Sequence, residues 1–193
     1  MSYNCDMKST EQNIVDTAIY VLNENPSATL EMVADKAGIS SRTLYRYFNH
    51  RNKLLASCKE TLTVTCRAAM NAAFDASENP IKQLELTLYA AIDCGSKFAF
   101  FDKLNQIMPK QETPETDGNA GQIQGRLFNL IVTLQKQGLI TDVLTSAWIY
   151  KLFSGMVNTT ISAITSGDIA VNDIKRFAWI SFSQSIGIQK TAA

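Results

Sequence analysis

Apolar residues recur along this chain at spacings of three and four, without the strict alternation of a half-buried strand, so the pattern predicts an all-α protein. The set Ile14, Ala18, Val21 and Leu22 gives the first helix one apolar face, with Ser9 and Gln12 as a capping box and Asn25-Pro26 as its end. A second helix, Leu30 to Ala37, buries Leu30, Val33, Ala34 and Ala37 behind Thr29 as N-cap. Gly38 then supplies a left-handed residue, and the chain turns at Gly38-Ile39. Ser40 caps a third, short helix in which Leu44 and Phe48 point inward. Asn49 is expected to cap a fourth helix running through Leu55, Cys58, Leu62, Cys66, Ala69 and Ala73 as one rod joining two domains.

Beyond it, Asn79-Pro80 pairs a cap with proline at the first helical position and starts a helix through Leu84, Leu88 and Ala91 toward Gly95. A separate helix is expected from Phe98 to Met108. Pro109 to Gly121 reads as a loop, because its prolines and glycines cannot continue a helix. The next helix covers Gln122 to Gln137 and stops at Gly138. Two last helices, Thr145 to Ser166 and Asn172 to Ile186, flank Gly167-Asp168 and are apolar on more than one face. Such helices need cover on both sides, so a two-fold interface with a second copy is expected, with Ile149, Leu152, Phe153, Met156, Ile174 and Phe177 as candidates.

The second and third helices together read as a helix-turn-helix. Its outer residues suit a major groove: Arg42 and Arg46 can each donate two parallel hydrogen bonds to guanine. Ser41, Thr43, Tyr45, Tyr47, His50 and Lys53 are candidates for phosphate oxygens, as is Thr29 with the helix N-terminus beside it. Between Lys36 and Lys59 the basic residues Lys36, Arg42, Arg46, Arg51, Lys53 and Lys59 meet no Asp or Glu, although the whole chain has a formal net charge of +0. A charge run is usually a solvated face; here it coincides with the turn geometry and reads as a phosphate-binding footprint. Glu31 departs from that footprint, since a carboxylate suits a helix N-terminus but repels phosphate.

In order and without gaps, IVDTAIYVL, TLEMVADKAGISSRTLYRYF and NHRNKLL resemble the N-terminal DNA-binding domain of the tetracycline-repressor (TetR) family of bacterial transcription regulators. The resemblance covers Gln12 to Leu55. It implies a three-helix helix-turn-helix domain over residues 1–52 and a helical ligand-binding and dimerisation domain over 53–193, paired through its last two helices as a four-helix bundle. It also implies a homodimeric repressor on double-stranded palindromic operator DNA, released when a small-molecule effector binds. For that effector the middle of the chain offers Phe98, Phe101, Phe128 and Trp148, which suit an apolar or aromatic molecule. Aromatic residues at helical spacing are more often core than pocket, and the alternative is a dimeric DNA-binding protein with no effector.

Composition narrows the field further. At 193 residues and 46% hydrophobic content the chain can bury a sizeable core. It holds no apolar run long enough to span a bilayer, and MSYNCDMKSTEQN lacks a signal-peptide core, so a cytoplasmic protein without membrane attachment is expected. Cys5, Cys58, Cys66 and Cys94 have neither a CxxC spacing nor histidine neighbours, and read as reduced core thiols rather than metal ligands or disulfides. No nucleophile elbow, Gly-rich phosphate loop, HExxH or paired-carboxylate motif is present, so neither catalysis nor a cofactor is expected.

Overall fold

Ser9, Thr29 and Ser40 set the N-terminal helices by side-chain capping. Their hydroxyls accept the amides of Gln12, Met32 and Thr43 at 3.2, 3.3 and 3.1 Å, satisfying donors that the first helical turn leaves unpaired. In this computed structural model residues 9–107, 120–167 and 169–188 are described, the side chains of 98–107, 120–122 and 171 excepted. All regular structure among them is helical: α1 (Thr10–Glu24), α2 (Leu30–Lys36), α3 (Ser41–Tyr47), α4 (Arg51–Asp75), α5 (Pro80–Ile107), α6 (Ala120–Lys136), α7 (Ser146–Ser166) and α8 (Val171–Ser185).

The first compact unit runs from α1 to Val64 inside α4 and takes in the end of α5 from Lys97. The capping box at Ser9 is only half formed, since the Gln12 side chain donates forward to Asp16 at 2.9 Å. Gly38 adopts φ +69°, and the Ile39 amide returns to the Ala34 carbonyl at 3.0 Å, closing α2 in the left-handed manner that glycine alone adopts without strain. Leu44 and Phe48 are fully buried with Ile14, Ala18, Leu22, Val33, Leu54 and Cys58. Because α4 carries Leu54, Cys58 and Leu62 into this core, the division of the chain falls within that helix rather than ahead of it at residue 52. Burial pushes the Cys58 thiol up to about 12, with the Asp16 carboxylate adding to the rise.

The cap of α4 differs from expectation. The helix starts at Arg51, and its first-turn amide, that of Lys53, bonds His50 Nδ1 at 3.1 Å, so His50 rather than Asn49 fills the capping role.

The second unit holds the rest of α4, the first part of α5, and α6 to α8. Asn79 Oδ1 accepts the amides of Ile81 and Lys82 at 2.9 and 3.1 Å ahead of Pro80, as the sequence predicts. Leu84, Leu88, Ile131, Leu134, Ile149, Phe153, Phe182 and Ile186 fill the core, where the Phe153 and Phe182 rings meet edge to face at 5.6 Å. The two helices expected on either side of Gly95 are one, α5. Gly95 marks a close approach instead of a stop: a Cβ built there would clash with Ile161 Cδ1 of α7.

Two outcomes follow from this packing. Gly95→Ala gains about 1 kcal/mol of helix propensity but meets Ile161, an overpacking cost of about 1–3 kcal/mol, so it lowers the denaturation midpoint. In an Ile161→Val background the same substitution lowers the midpoint less, because the terminal methyl group in its way is gone. For Cys58, iodoacetamide at pH 8 leaves the thiol unmodified in folded protein and alkylates it in denaturant, as read by mass spectrometry.

Candidate nucleic-acid interface

α3 is only seven residues long, and its orientation is imposed from both ends. Ser40 caps its start, and Leu44 and Phe48 anchor one side in the core at 0% exposure. The remaining positions therefore face outward: Ser41, Arg42, Tyr45 and Arg46 are exposed, with Thr43 and Tyr47 half-buried at the margins. Arg42 makes no hydrogen bond or ion pair among the described residues, and the Arg46 guanidinium lies 5.2 Å from the centre of the Tyr47 ring. Thr43 is less free than its type implies, since its hydroxyl and that of Ser40 share a hydrogen bond at 2.9 Å.

The other basic residues of the window divide between surface and scaffold. Arg51 is half-buried, and its guanidinium donates to the carbonyls of Ala28 and, at 2.5 Å, Pro26. It thereby ties the start of α4 to the α1–α2 loop; burial lowers its pKa from the usual arginine value. Lys53 donates Nζ to the Tyr47 carbonyl at 2.8 Å, placing a cation on the C-terminal end of α3, where the helix dipole favours it. Lys36 lies 5.4 Å from the Tyr20 ring centre. His50, exposed and accepting at Nδ1, carries its proton on Nε2 in the neutral form, where it is available to an anion. Arg51 carries no local sequence signal for this structural role, because both of its partners are backbone carbonyls some two dozen residues upstream.

Glu31 is exposed on α2, and its Oε1 accepts the Tyr45 hydroxyl at 2.6 Å across the turn. The bond from Tyr45 is the main cause holding the Glu31 carboxyl below its usual range, with help from Glu31's own amide and the Thr29 hydroxyl. Reciprocally, Glu31 raises the pKa of Tyr45.

The residues expected to hold an effector lie at the surface where they are described. Trp148 is 56% exposed and Phe128 39%, while the side chains of Phe98 and Phe101 and the greater part of the loop Pro109 to Gly121 lie outside the described residues. Two recesses of the second unit include neither Trp148 nor Phe128. One, of about 760 Å³, opens among Lys82, Glu85, Leu139, Trp179, Ile180 and Gln184. The other, of about 460 Å³, is shallow and lined by Phe74, Arg126, Asn129 and Thr133.

Of the six residues expected at a dimer interface, Ile149, Phe153 and Ile174 are corrected by the structure. They are 0%, 4% and 4% exposed within the protomer's own unit and cannot meet a partner without unfolding it. Helical faces that look doubly apolar in sequence thus resolve into a buried side and an outer one. Leu152 and Met156 are half-buried and Phe177 is 41% exposed. The outer side of α7 carries Trp148, Leu152, Gly155 and Thr159, spaced as one helical stripe, and that of α8 carries Phe177, Ile180 and Gln184.

Comparison with known proteins agrees with this architecture. The family model for bacterial regulatory proteins of the tetR family matches residues 14–58, the span from α1 into α4 that builds the helix-turn-helix. Among solved structures, the TetR-like transcriptional regulator LfrR from Mycobacterium smegmatis, in complex with proflavine, shares 22% identity over 92% of this chain and 96% of its own, with a TM-score of 0.68. The ketosteroid transcriptional regulator KstR2 of Mycobacterium tuberculosis shares 15% identity over 95% of this chain and 97% of its own, with a TM-score of 0.72. TetR transcriptional regulator SCO0520 from Streptomyces coelicolor shares 20% identity over 94% and 99%, with a TM-score of 0.62. No curated protein sequence matches the chain significantly. The tetR-family model thus matches the helix-turn-helix at the residues that form it, and the all-helical fold is similar to those of TetR-like transcriptional regulators over more than nine-tenths of the chain.

Proposed function

We propose that the protein is a homodimeric repressor that binds a palindromic operator through α3 and releases it when a small apolar or aromatic effector occupies the C-terminal unit. The observation that carries the DNA half is the exposed pair Arg42 and Arg46 on a helix whose opposite side, Leu44 and Phe48, is fully buried. Two arginines held this way can meet guanine edges while Ser41, Thr43, Tyr47, Thr29 and the His50 Nε2–H position phosphates. Lys53 contributes charge there while it holds the end of α3.

The dimer rests on the outer stripe of α7 and α8. Trp148 and Phe177, one on each helix, are 56% and 41% exposed and give both outer sides a large apolar side chain for a partner to cover. A second copy related by a two-fold axis covers both stripes at once and sets two copies of α3 on successive major grooves about 34 Å apart. The effector half has the family resemblance and the aromatic residues of the middle region as its support. LfrR, of the same fold, has been solved with the planar aromatic proflavine, in line with an effector of that class. The surface position of Trp148 and Phe128 favours the second reading, a dimeric DNA-binding protein without an effector.

Selection from a random duplex library with the full chain enriches a palindrome. On that operator Arg42→Ala costs about 1–3 kcal/mol and relaxes preference at one base pair, and equal losses on operator and random duplex would remove Arg42 from base reading. For the dimer, Trp148→Glu and Phe177→Glu together yield a monomer with weakened operator affinity by sedimentation and titration; a double variant that stays dimeric with full affinity places the interface elsewhere. Effector action is tested with a panel of apolar aromatic compounds. One that shifts the thermal midpoint must weaken operator binding by the same factor by which operator weakens its own binding, and a panel with no such compound supports the effector-free reading.

A further inference from the structure

A tyrosine hydroxyl has a single proton to donate, and Tyr45 gives it to the Glu31 carboxylate at 2.6 Å. Phosphate oxygens only accept, so a Tyr45 held in this bond has nothing to offer the DNA backbone. Its ring is another matter: the residue is 42% exposed on α3, beside Arg46 and one turn from Arg42. The bond spans the turn, joining the first turn of α2 to the middle of α3, and so fixes the ring relative to both helices of the motif. The same bond holds the Glu31 carboxyl below its usual range and so in its charged form. A charge-assisted bond at this distance is among the stronger surface hydrogen bonds, and a rigid aromatic ring loses little entropy when it is locked.

We infer that Glu31 is a positioning residue for sequence readout: it withdraws the Tyr45 hydroxyl from the phosphate backbone and fixes the Tyr45 ring as a reader of base edges. The inference rests on α3 being the reading helix, as proposed above. It assigns Tyr45 a role different from the phosphate contact that its residue type alone implies, and it gives a purpose to a carboxylate that would otherwise only oppose DNA binding. Specificity follows from it, since a ring contact distinguishes one base from another and a phosphate contact does not.

The test uses the full-length protein, the duplex it enriches from a random library, and that duplex altered one base pair at a time. Tyr45→Ala is expected to lose a preference of about tenfold at one base pair while affinity for random duplex and the salt dependence stay unchanged. Tyr45→Phe and Glu31→Ala break the bond by opposite ends and both weaken preference at that same base pair, while affinity for random duplex stays unchanged. Glu31→Gln, whose amide carbonyl accepts the same proton, retains it. If Tyr45→Ala and Tyr45→Phe weaken operator and random duplex alike and flatten the salt slope by about one, Tyr45 is a phosphate contact and the inference is overturned. Unchanged preferences in Glu31→Ala overturn it equally. A wild-type protein that enriches no sequence removes the reading helix itself, and this inference with it, an outcome distinct from both.

Discussion

Burial of Leu44 and Phe48 is the constraint on which the DNA-facing surface depends. Seven residues are too few to hold a helix in water by their own hydrogen bonds, so α3 exists because its two apolar side chains complete a core made by α1, α2 and α4. Emptying such a site costs about 3–5 kcal/mol for phenylalanine, a large share of the stability of a small unit. Once those two residues are fixed, helical geometry leaves no choice about the rest. Arg42 and Arg46 stand two positions to either side of Leu44, far around the helix from it, and must face out. The functional surface is thus the reverse side of a packing solution.

The same economy governs the charges. Six basic residues crowd the segment from Lys36 to Lys59 in a chain of zero formal net charge, yet they are not six phosphate contacts. Arg51 spends its guanidinium on two carbonyls of the α1–α2 loop, and Lys53 closes the end of α3. These bonds hold the motif's helices in register with the start of α4. Arg42, Arg46 and the lysines of the window remain exposed, while the Glu31 carboxylate near them keeps the surface from being uniformly positive.

Where structure is decided within a few residues, it was legible from the chain. Ser9, Thr29, Ser40 and Asn79 cap as their spacing predicts, and Gly38 and Gly138 end helices with left-handed φ. Where a distant partner decides, sequence reasoning fell short. Gly95 reads as a stop, but its lack of a side chain serves Ile161, more than sixty positions away, and α5 runs on. Ile149, Phe153 and Ile174 share apolar character with Leu152 and Phe177, and only the packing of α7 against α6 and α8 tells the inner side from the outer. Asn49 and His50 both carry an acceptor suited to an N-cap; the choice between neighbours turns on one step of register at the α3–α4 turn. The candidate interface was legible in its arginines and illegible in Arg51 and Glu31, whose partners lie across the motif.

α4 contributes to both hydrophobic cores. Leu54, Cys58 and Leu62 belong to the core that supports α3, while Phe74, on the same helix, belongs to the core of the second unit. Between them the helix contains neither glycine nor proline, so it has no cheap place to bend. Its start is bonded at Arg51 to the α1–α2 loop and at Lys53 to the last turn of α3. Those two cations, each bonded to a backbone carbonyl, therefore fix the start of α4 against both the loop before α2 and the end of α3.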